Sequence, residues 1–300
     1  MGRFVRFSVG ASAAIAVALV PLSSVIGTAP AARADAEVQQ VGVSPIPNGP
    51  AQGWVVADLD SGQVLAARNE NTRYAPASTI KTLLAQVILD EVPLDATIVA
   101  DEADTKVECN CAGVVPGQTY TARQLLEAAL LASGNDAANT LARMVGGPDA
   151  AVAKMNAKAV ALGAHNTHVA TPSGLDGPGM PFWSTPHDMA LIFRGAMANP
   201  IFAEITALPS TTFPTKSGQR VLVNQDELLH RYPGALGGKT GFTDIARKTF
   251  VGAAARDGRR LEVVMMYGLV KEGGPTYWDQ AAALLDWGFS QDRSASIGSL

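Results

Sequence analysis

Ser78 and Lys81 stand three residues apart in the stretch PASTIKTLLAQVILDE, residues 76–91. A serine hydroxyl within reach of a lysine amine is a nucleophile beside its general base. That chemistry needs the amine neutral, and the stretch supplies a reason for it. On helical spacing Ile80, Leu83, Leu84, Val87 and Ile88 form an apolar stripe, with Thr82, Gln86 and Asp90 on the opposite side. Lys81 falls inside the apolar arc beside Leu84, Ala85 and Ile88, and Ser78 shares its side. Burying a charged ammonium there is costly, so the proton affinity of the lysine is pressed downward. Taken alone, the pair also has a plainer reading, in which Ser78 caps the helix and Lys81 extends its head to solvent.

Two further stretches carry polar groups of the right kind. LLASGNDAA puts Ser133 and Asn135 in a short break between two helices, and GALGGKTGF puts Lys239, Thr240 and Gly241 on a strand. Each alone is an ordinary helix junction or a strand end before a turn.

The elements that must position these groups follow from periodicity and turn chemistry. GWVVADLDSGQVLAARN reads as two strands around the turn Asp60-Ser61-Gly62. Thr121 with Gln124 is a capping box that opens a helix running to about Ala132. A helix from about Asp136 to Val145 stops at Gly146-Gly147, another runs from Pro148 to near Gly163, and a further one starts at Thr185-Pro186. After Pro209 the texture turns to β-like runs: RVLVNQ, ALGGKTGF, then KTFVGAAA and RLEVVMMYG joined across Asp257-Gly258. A last helix spans about Thr276 to Trp287. Strands at both ends around a helical middle imply one antiparallel sheet, covered by helices, with an all-helical lobe inserted.

The N-terminus reads as an export signal: Arg3 and Arg6, an apolar run from Phe7 to Val20, then the small-residue ends ARA and ADA around Ala34. Residues 1–34 are assigned to it, with 35–52 as a Pro/Gly/Gln-rich linker. Loss of residues 1–34 removes Arg3, Arg6 and Arg33 and no acid, so the formal charge of −4 moves to −7. Nothing in that balance favours a nucleic-acid partner. Cys109 and Cys111 can pair in an exported protein, fixing a local bend with little effect on global stability. His165, His168, His187 and His230 make no ligand pattern with them, so neither a metal nor another cofactor is expected.

In their order and contexts, the three polar stretches resemble the S-x-x-K, S-x-N and K-T-G elements of the penicillin-recognising serine enzymes. Within that superfamily the chain is similar to the D-alanyl-D-alanine carboxypeptidases of peptidase family S11, the low-molecular-mass penicillin-binding proteins. PASTIK, ASGNDAANTLA, TPSGLDGPG followed by STPHDMALI, GGKTGFT and LLDWGF carry the resemblance, which runs from about Trp54 to Phe289. It implies an α/β fold of the α+β type, DD-peptidase/β-lactamase-like. The expected sheet has about five antiparallel strands flanked by helices. Residues 53–290 form the catalytic domain, with its helical subdomain at about 92–205, and 291–300 a tail.

The resemblance also implies roles. Ser78 attacks the carbonyl between two D-alanines, Lys81 takes its proton, Ser133 relays a proton to the leaving amine, and Asn135 orients substrate and Lys81. Lys239 and Thr240 meet the terminal carboxylate, Gly241 completes the substrate-binding K-T-G element, and the N–H groups of Ser78 and Phe242 form the oxyanion hole. The implied substrate is a peptidoglycan stem peptide ending in D-Ala-D-Ala, with β-lactams as inhibitors. The export signal puts the site outside the cytoplasmic membrane; larger members of the family carry a C-terminal amphipathic anchor, but SQDRSASIGSL reads as no membrane helix, so no stable anchor is expected after signal cleavage.

Three other outcomes stay open at this point: endopeptidase action on cross-links, a class A-like β-lactamase, and a non-catalytic β-lactam- or wall-binding protein. The β-lactamase needs a glutamate on a loop after the second motif. From Ala128 to Ala203 the chain has none, and Gly134 stands where that motif carries aspartate. Phe182 and Trp183 are candidates for the cleft mouth, Arg247 and Lys248 for added positive potential, and Cys109 to Gly113 for the rim.

Overall fold

Two tight turns organise the main sheet. Asp257 and Gly258 both have positive φ (50° and 69°), as a two-residue hairpin turn demands. At the other turn Gly62 has φ 77°, and the Asp58 carboxylate accepts from the N–H groups of Asp60 and Ser61. The computed structural model describes residues 1–2, 38–39, 44–269 and 273–300. The export signal read at 1–34 therefore lies outside the described residues, apart from its first two.

In chain order the elements open with β1 (Val38–Gln39), β2 (Ala51–Asp58) and β3 (Gln63–Arg68), then a 3₁₀ turn at Ala77–Ile80 that runs into α1 (Lys81–Glu91). Next come β4 (Thr97–Val99), α2 (Glu102–Thr105), β5 (Thr119–Thr121), α3 (Ala122–Leu131), α4 (Asn135–Met144) and α5 (Pro148–Ala161). They are followed by α6 (Pro186–Met197), α7 (Pro200–Thr206), β6 (Ser210–Thr215), β7 (Gly218–Val223) and α8 (Glu227–Arg231). The chain closes with β8 (Ala235–Thr243), β9 (Arg247–Arg256), β10 (Arg259–Gly268), α9 (Tyr277–Ser290) and β11 (Gly298–Ser299).

The sheet order is β1-β3-β2-β10-β9-β8, with β11 also on β3, and every pairing is antiparallel. Five strands are long, as expected; β1 and β11 are two-residue additions at the edge of β3. Segments read as linker and tail thus make sheet contacts. Residues 51–52 already belong to β2, Trp287 donates its indole N–H to the Ser44 carbonyl, and the Leu300 N–H bonds the Gly62 carbonyl. A free strand edge leaves N–H and C=O groups to satisfy, and these short segments meet that need.

Side chains alternate between the two faces. Trp54, Val56, Phe250, Val263 and Met265 pack with Trp278, Leu284 and Trp287 of α9. Val55, Ala57, Val251, Val264 and Met266 face the opposite core, built around α1, α3, α4 and α6.

One expectation needs correction. The inserted lobe is not all helical and runs beyond residue 205: β4 pairs with β5, and β7, the RVLVNQ run, pairs with β6 instead of joining the main sheet. Leu222 is buried while Val221 and Val223 are exposed, so this hairpin has one covered face and one open to solvent. α1 is a buried helix, as its apolar stripe indicates, and Thr82 and Gln86 on the side opposite the stripe are buried too. It is the central helix of the lobe, and its polar groups are satisfied internally, Thr82 Oγ1 on the Thr79 carbonyl and Gln86 Nε2 on the Ile192 carbonyl of α6. Among the described residues no helix is long and apolar enough to cross a membrane.

Candidate active site

The serine of the first motif sits on the 3₁₀ turn rather than inside α1. Ala77, just before it, has φ 49°, a left-handed conformation that an alanine adopts only under constraint from its surroundings. Two side-chain hydroxyls bond the Pro76 carbonyl and hold the turn: Thr79 Oγ1 at 2.6 Å and, from β9, Thr249 Oγ1 at 2.9 Å. Lys81 begins α1 and is 1% exposed. Its Nζ lies 2.8 Å from Ser78 Oγ and 2.8 Å from Asn135 Oδ1. Ser78 Oγ also bonds the Ser173 carbonyl at 3.3 Å. Burial, and after it the charge of Lys239, holds Lys81 well below the usual lysine range, with Asp136 acting in the opposite direction.

The second motif is a sharp reversal between α3 and α4. Ser133, with φ 59°, makes the turn, and Asn135 starts α4. The adjacent Asp136 is buried, and its carboxylate accepts from the N–H groups of Ala112, Gly113 and Val114 and from Ala137. The third motif lies on β8, the sheet's outer strand on this side. Lys239 is 1% exposed and donates to Ser133 Oγ at 2.9 Å and to the Thr240 carbonyl at 2.7 Å. Burial pushes it down to about 7, against the pull of Asp226. Gly241 lets β8 approach the Ser78 turn. A Cβ there would come within 2.9 Å of the Ser78 nitrogen and 2.3 Å of Thr249 Oγ1.

The three motifs meet at a cleft of about 710 Å³ lined by Ser78, Ser133, Asn135, Thr240, Gly241 and Phe242, with Lys81 and Lys239 buried beneath them. A hydroxyl held by a buried amine, with a second lysine bound to a second serine, suits acyl transfer to a serine.

Residues 40–268 match the family model of the D-alanyl-D-alanine carboxypeptidases, peptidase S11. The chain belongs to this family.

Family members of known name agree with that placement. The chain is 69% identical over 267 residues to D-alanyl-D-alanine carboxypeptidase DacB2 of Mycobacterium tuberculosis, covering 89% of this chain and 92% of the relative. DacA of Escherichia coli is 31% identical over 81% of this chain and 62% of its own longer one. Among solved structures, the D-alanyl-D-alanine carboxypeptidase of M. tuberculosis H37Rv superposes with a TM-score of 0.86 at 69% identity, over 88% of this chain and all of that one. The Streptomyces K15 DD-transpeptidase does so at 0.76 and 28% identity, over 83% of this chain and all of that one. The fold is that of the DD-peptidases, and the chain is a serine-type D-alanyl-D-alanine carboxypeptidase with an acyl-enzyme cycle open to β-lactams.

Not every residue proposed for the cleft lies there. Phe182 is in the core, and Trp183 stacks on the His168 ring 5.1 Å away with the Arg73 guanidinium over its own ring. Neither lines the cleft, because the bridge between His168 and Trp183 turns them toward the lobe. Lys248 does line it, with its ammonium 4.9 Å from the Phe242 ring centroid, while Arg247 is exposed outside it. Cys109 and Asn110 form part of the rim. Trp278 packs edge-on against Phe250 in the core and also reaches the cleft wall, beside Tyr277.

Two residues of the site went unnoticed in the sequence. Gln225 lines the cleft, accepting from Thr240 Oγ1 at 3.4 Å and donating to the Ala132 carbonyl at 3.2 Å. Asp226 is buried, caps α8 through the N–H groups of Leu228 and Leu229, and is raised by burial to about 6, with Lys239 among the charges that oppose the rise. The only trace of them was Asp226 ahead of Glu-Leu-Leu, an N-cap pattern that says nothing of a lysine brought in from β8.

Proposed function

We propose that Ser78 is the nucleophile of this carboxypeptidase and Lys81 the base that activates it. Ser78 Oγ attacks the carbonyl between two D-alanines and passes its proton to neutral Lys81. The ester forms as the terminal D-alanine leaves, with Ser133 relaying a proton to the departing amine, and water then hydrolyses the ester. Asn135 accepts a hydrogen bond from Lys81 and orients it. Lys239 and Thr240 hold the terminal carboxylate, whose negative charge draws the proton affinity of Lys239 back up when substrate arrives. Gly241 provides the close approach of β8, and the N–H groups of Ser78 and Phe242 stabilise the oxyanion, at ~3–4 kcal/mol per donor.

One observation carries the reading: a lysine 1% exposed lies 2.8 Å from the hydroxyl of a half-buried serine at the floor of a cleft. The substrate is a peptidoglycan stem peptide ending in D-Ala-D-Ala, and the signal read at residues 1–34 exports the enzyme to the envelope. Hydrolysis of a trapped β-lactam is slow, because no glutamate stands between Ala128 and Ala203 to activate a water.

The test is release of free D-alanine from a stem-peptide mimic ending in D-alanyl-D-alanine, by the protein and by Ser78→Ala. Release by the first and none by the second is expected. No release from the intact protein, with cleavage of a cross-linked dimer instead, would move the assignment to an endopeptidase. Penicillin labelling without release from either substrate would leave a binding protein.

A further inference from the structure

Asn135 is held from outside the helices by a short, cross-linked peptide. Its side-chain Nδ2 donates to the Glu108 carbonyl at 2.8 Å, and its backbone N–H donates to the Asn110 carbonyl at 2.7 Å. Between and beside those carbonyls stand Cys109 and Cys111, joined by a disulfide with their Cα atoms 4.9 Å apart. C-terminal to the bridge the chain is pinned twice more. The Asp136 carboxylate takes the N–H groups of residues 112–114, and Arg220 Nη1 donates to the Cys111 and Ala112 carbonyls at 3.3 and 3.2 Å. N-terminal to Cys109 the chain is held at Asp104, whose buried carboxylate takes Arg143 Nη1 at 2.7 Å and whose carbonyl accepts from Asn139 Nδ2 at 3.5 Å. Between that anchor and the Asp136 contacts the bridge is the constraint adjacent to the Glu108 carbonyl, and it helps to fix where that carbonyl sits.

That carbonyl decides which way the Asn135 amide points. An amide presents an acceptor on one side and a donor on the other. With Nδ2 committed to Glu108, Oδ1 must face Lys81, where it accepts from Nζ at 2.8 Å. Without the carbonyl, a flip of the amide would set an NH₂ donor against Lys81.

We propose that the Cys109–Cys111 disulfide is a positioning device for the acylation step, acting through the Glu108 and Asn110 carbonyls on Asn135 and thereby on Lys81. Since Cys109 is exposed and lies at the cleft rim, a dithiol reductant can reach it. One thiolate of the dithiol attacks a bridge sulfur to give a mixed disulfide, and the second displaces it. The bridge gains two electrons and two protons as the reductant becomes a disulfide. The site is then sensitive to the thiol state of its surroundings. The loop closed is only two residues long in sequence separation, so its loss changes the unfolded chain little, and the effect falls on the site rather than on the fold.

The inference rests on Lys81 as the base of acylation, and the experiment separates the two. The full chain, oxidised or reduced with dithiothreitol and kept under it, is mixed with a fluorescent penicillin, and the rate of covalent labelling is followed beside its thermal melt. The expected result is labelling slowed by about tenfold to a hundredfold on reduction, the scale of a small misplacement of a catalytic group, with the melting temperature nearly unchanged. Cys109→Ser/Cys111→Ser should label at the reduced rate and ignore dithiothreitol. In Asn135→Ala, reduction should cost nothing further, since the device has lost the residue it acts through. Equal labelling of the oxidised and reduced protein overturns the inference and leaves Lys81 untouched. So does a reduced protein that slows only by unfolding, or a loss that simply adds to that of Asn135→Ala. An oxidised protein that Lys81→Ala does not impair removes the base reading, and this inference with it.

Discussion

Lys81 and Lys239 are both buried at the same cleft, and the charge of Lys239 lowers the proton affinity of Lys81. Each bonds a different serine, Lys81 to Ser78 and Lys239 to Ser133. Two like charges buried at one cleft disfavour each other, and the roles proposed above need one proton, not two: a neutral base at Lys81 and a charged carboxylate receptor at Lys239. The arrangement favours that division.

The rate of acylation should therefore follow a bell-shaped pH profile. The rising limb is deprotonation of Lys81, since only the neutral amine is a base. The falling limb is deprotonation of Lys239 in the free enzyme at about 7, above which its hold on the substrate carboxylate is lost. Lys239→Arg, whose guanidinium stays charged, should flatten the falling limb of kcat/KM. Lys239→Gln should move the rising limb to higher pH, because removal of a neighbouring positive charge lets Lys81 keep its proton longer. A rising limb that stays in place in that variant would refute the coupling.

Gly241→Ala should lose about a hundredfold in kcat/KM, the loss falling on kcat. The added Cβ meets Thr249 Oγ1 and the Ser78 nitrogen and must push β8 away from the nucleophile's turn. Steady-state kinetics on a D-alanyl-D-alanine peptide would show it, and wild-type turnover in this variant would contradict the close approach.

Asp136→Asn should destabilise the protein by about 3 kcal/mol or more, since a buried carboxylate holding four N–H groups becomes an amide with one acceptor oxygen. For a chain of this size that is a fall of about 6–12 °C in melting temperature. Because the Asp136 charge supports the proton on Lys81, the rising limb of the pH profile should also move to lower pH.

Glu262→Gln should stabilise the protein increasingly as pH rises. Glu262 is fully buried on β10, neither of its carboxylate oxygens has a hydrogen-bond partner among the described residues, and burial raises it well above the usual range. The folded state thus keeps the proton that the unfolded chain releases above the ordinary glutamate range. Stability is lost as pH climbs through that window, at ~1.4 kcal/mol per pH unit until the folded group itself ionises. Urea denaturation near pH 5 and pH 7 should show the variant's advantage growing; parallel curves would refute it.

Reading the chain alone reached far because its signals were local. The capping box at Thr121 and Gln124, the Thr185 cap before Pro186 and the Asp257-Gly258 turn each lie within a few residues, and each is realised as the side-chain chemistry requires. Lys81 in an apolar arc was legible for the same reason. Non-local decisions were not: RVLVNQ has strand character whichever partner it takes, and only the Ser210–Thr215 run brought beside it settled the pairing. Phe182 and Trp183 looked available for a cleft until the bridge to His168 turned them to the lobe.

The same division holds at the site. The amino-acid sequence by itself determined the chemical groups and their order, because a serine and lysine three residues apart on one turn are neighbours by covalent geometry. Tertiary structure alone decided that Lys239 reaches Ser133, that Asp226 lies near Lys239, and that the Glu108 carbonyl holds Asn135. Those contacts join segments far apart in the chain, and their distances exist only once burial has packed the lobe against the sheet.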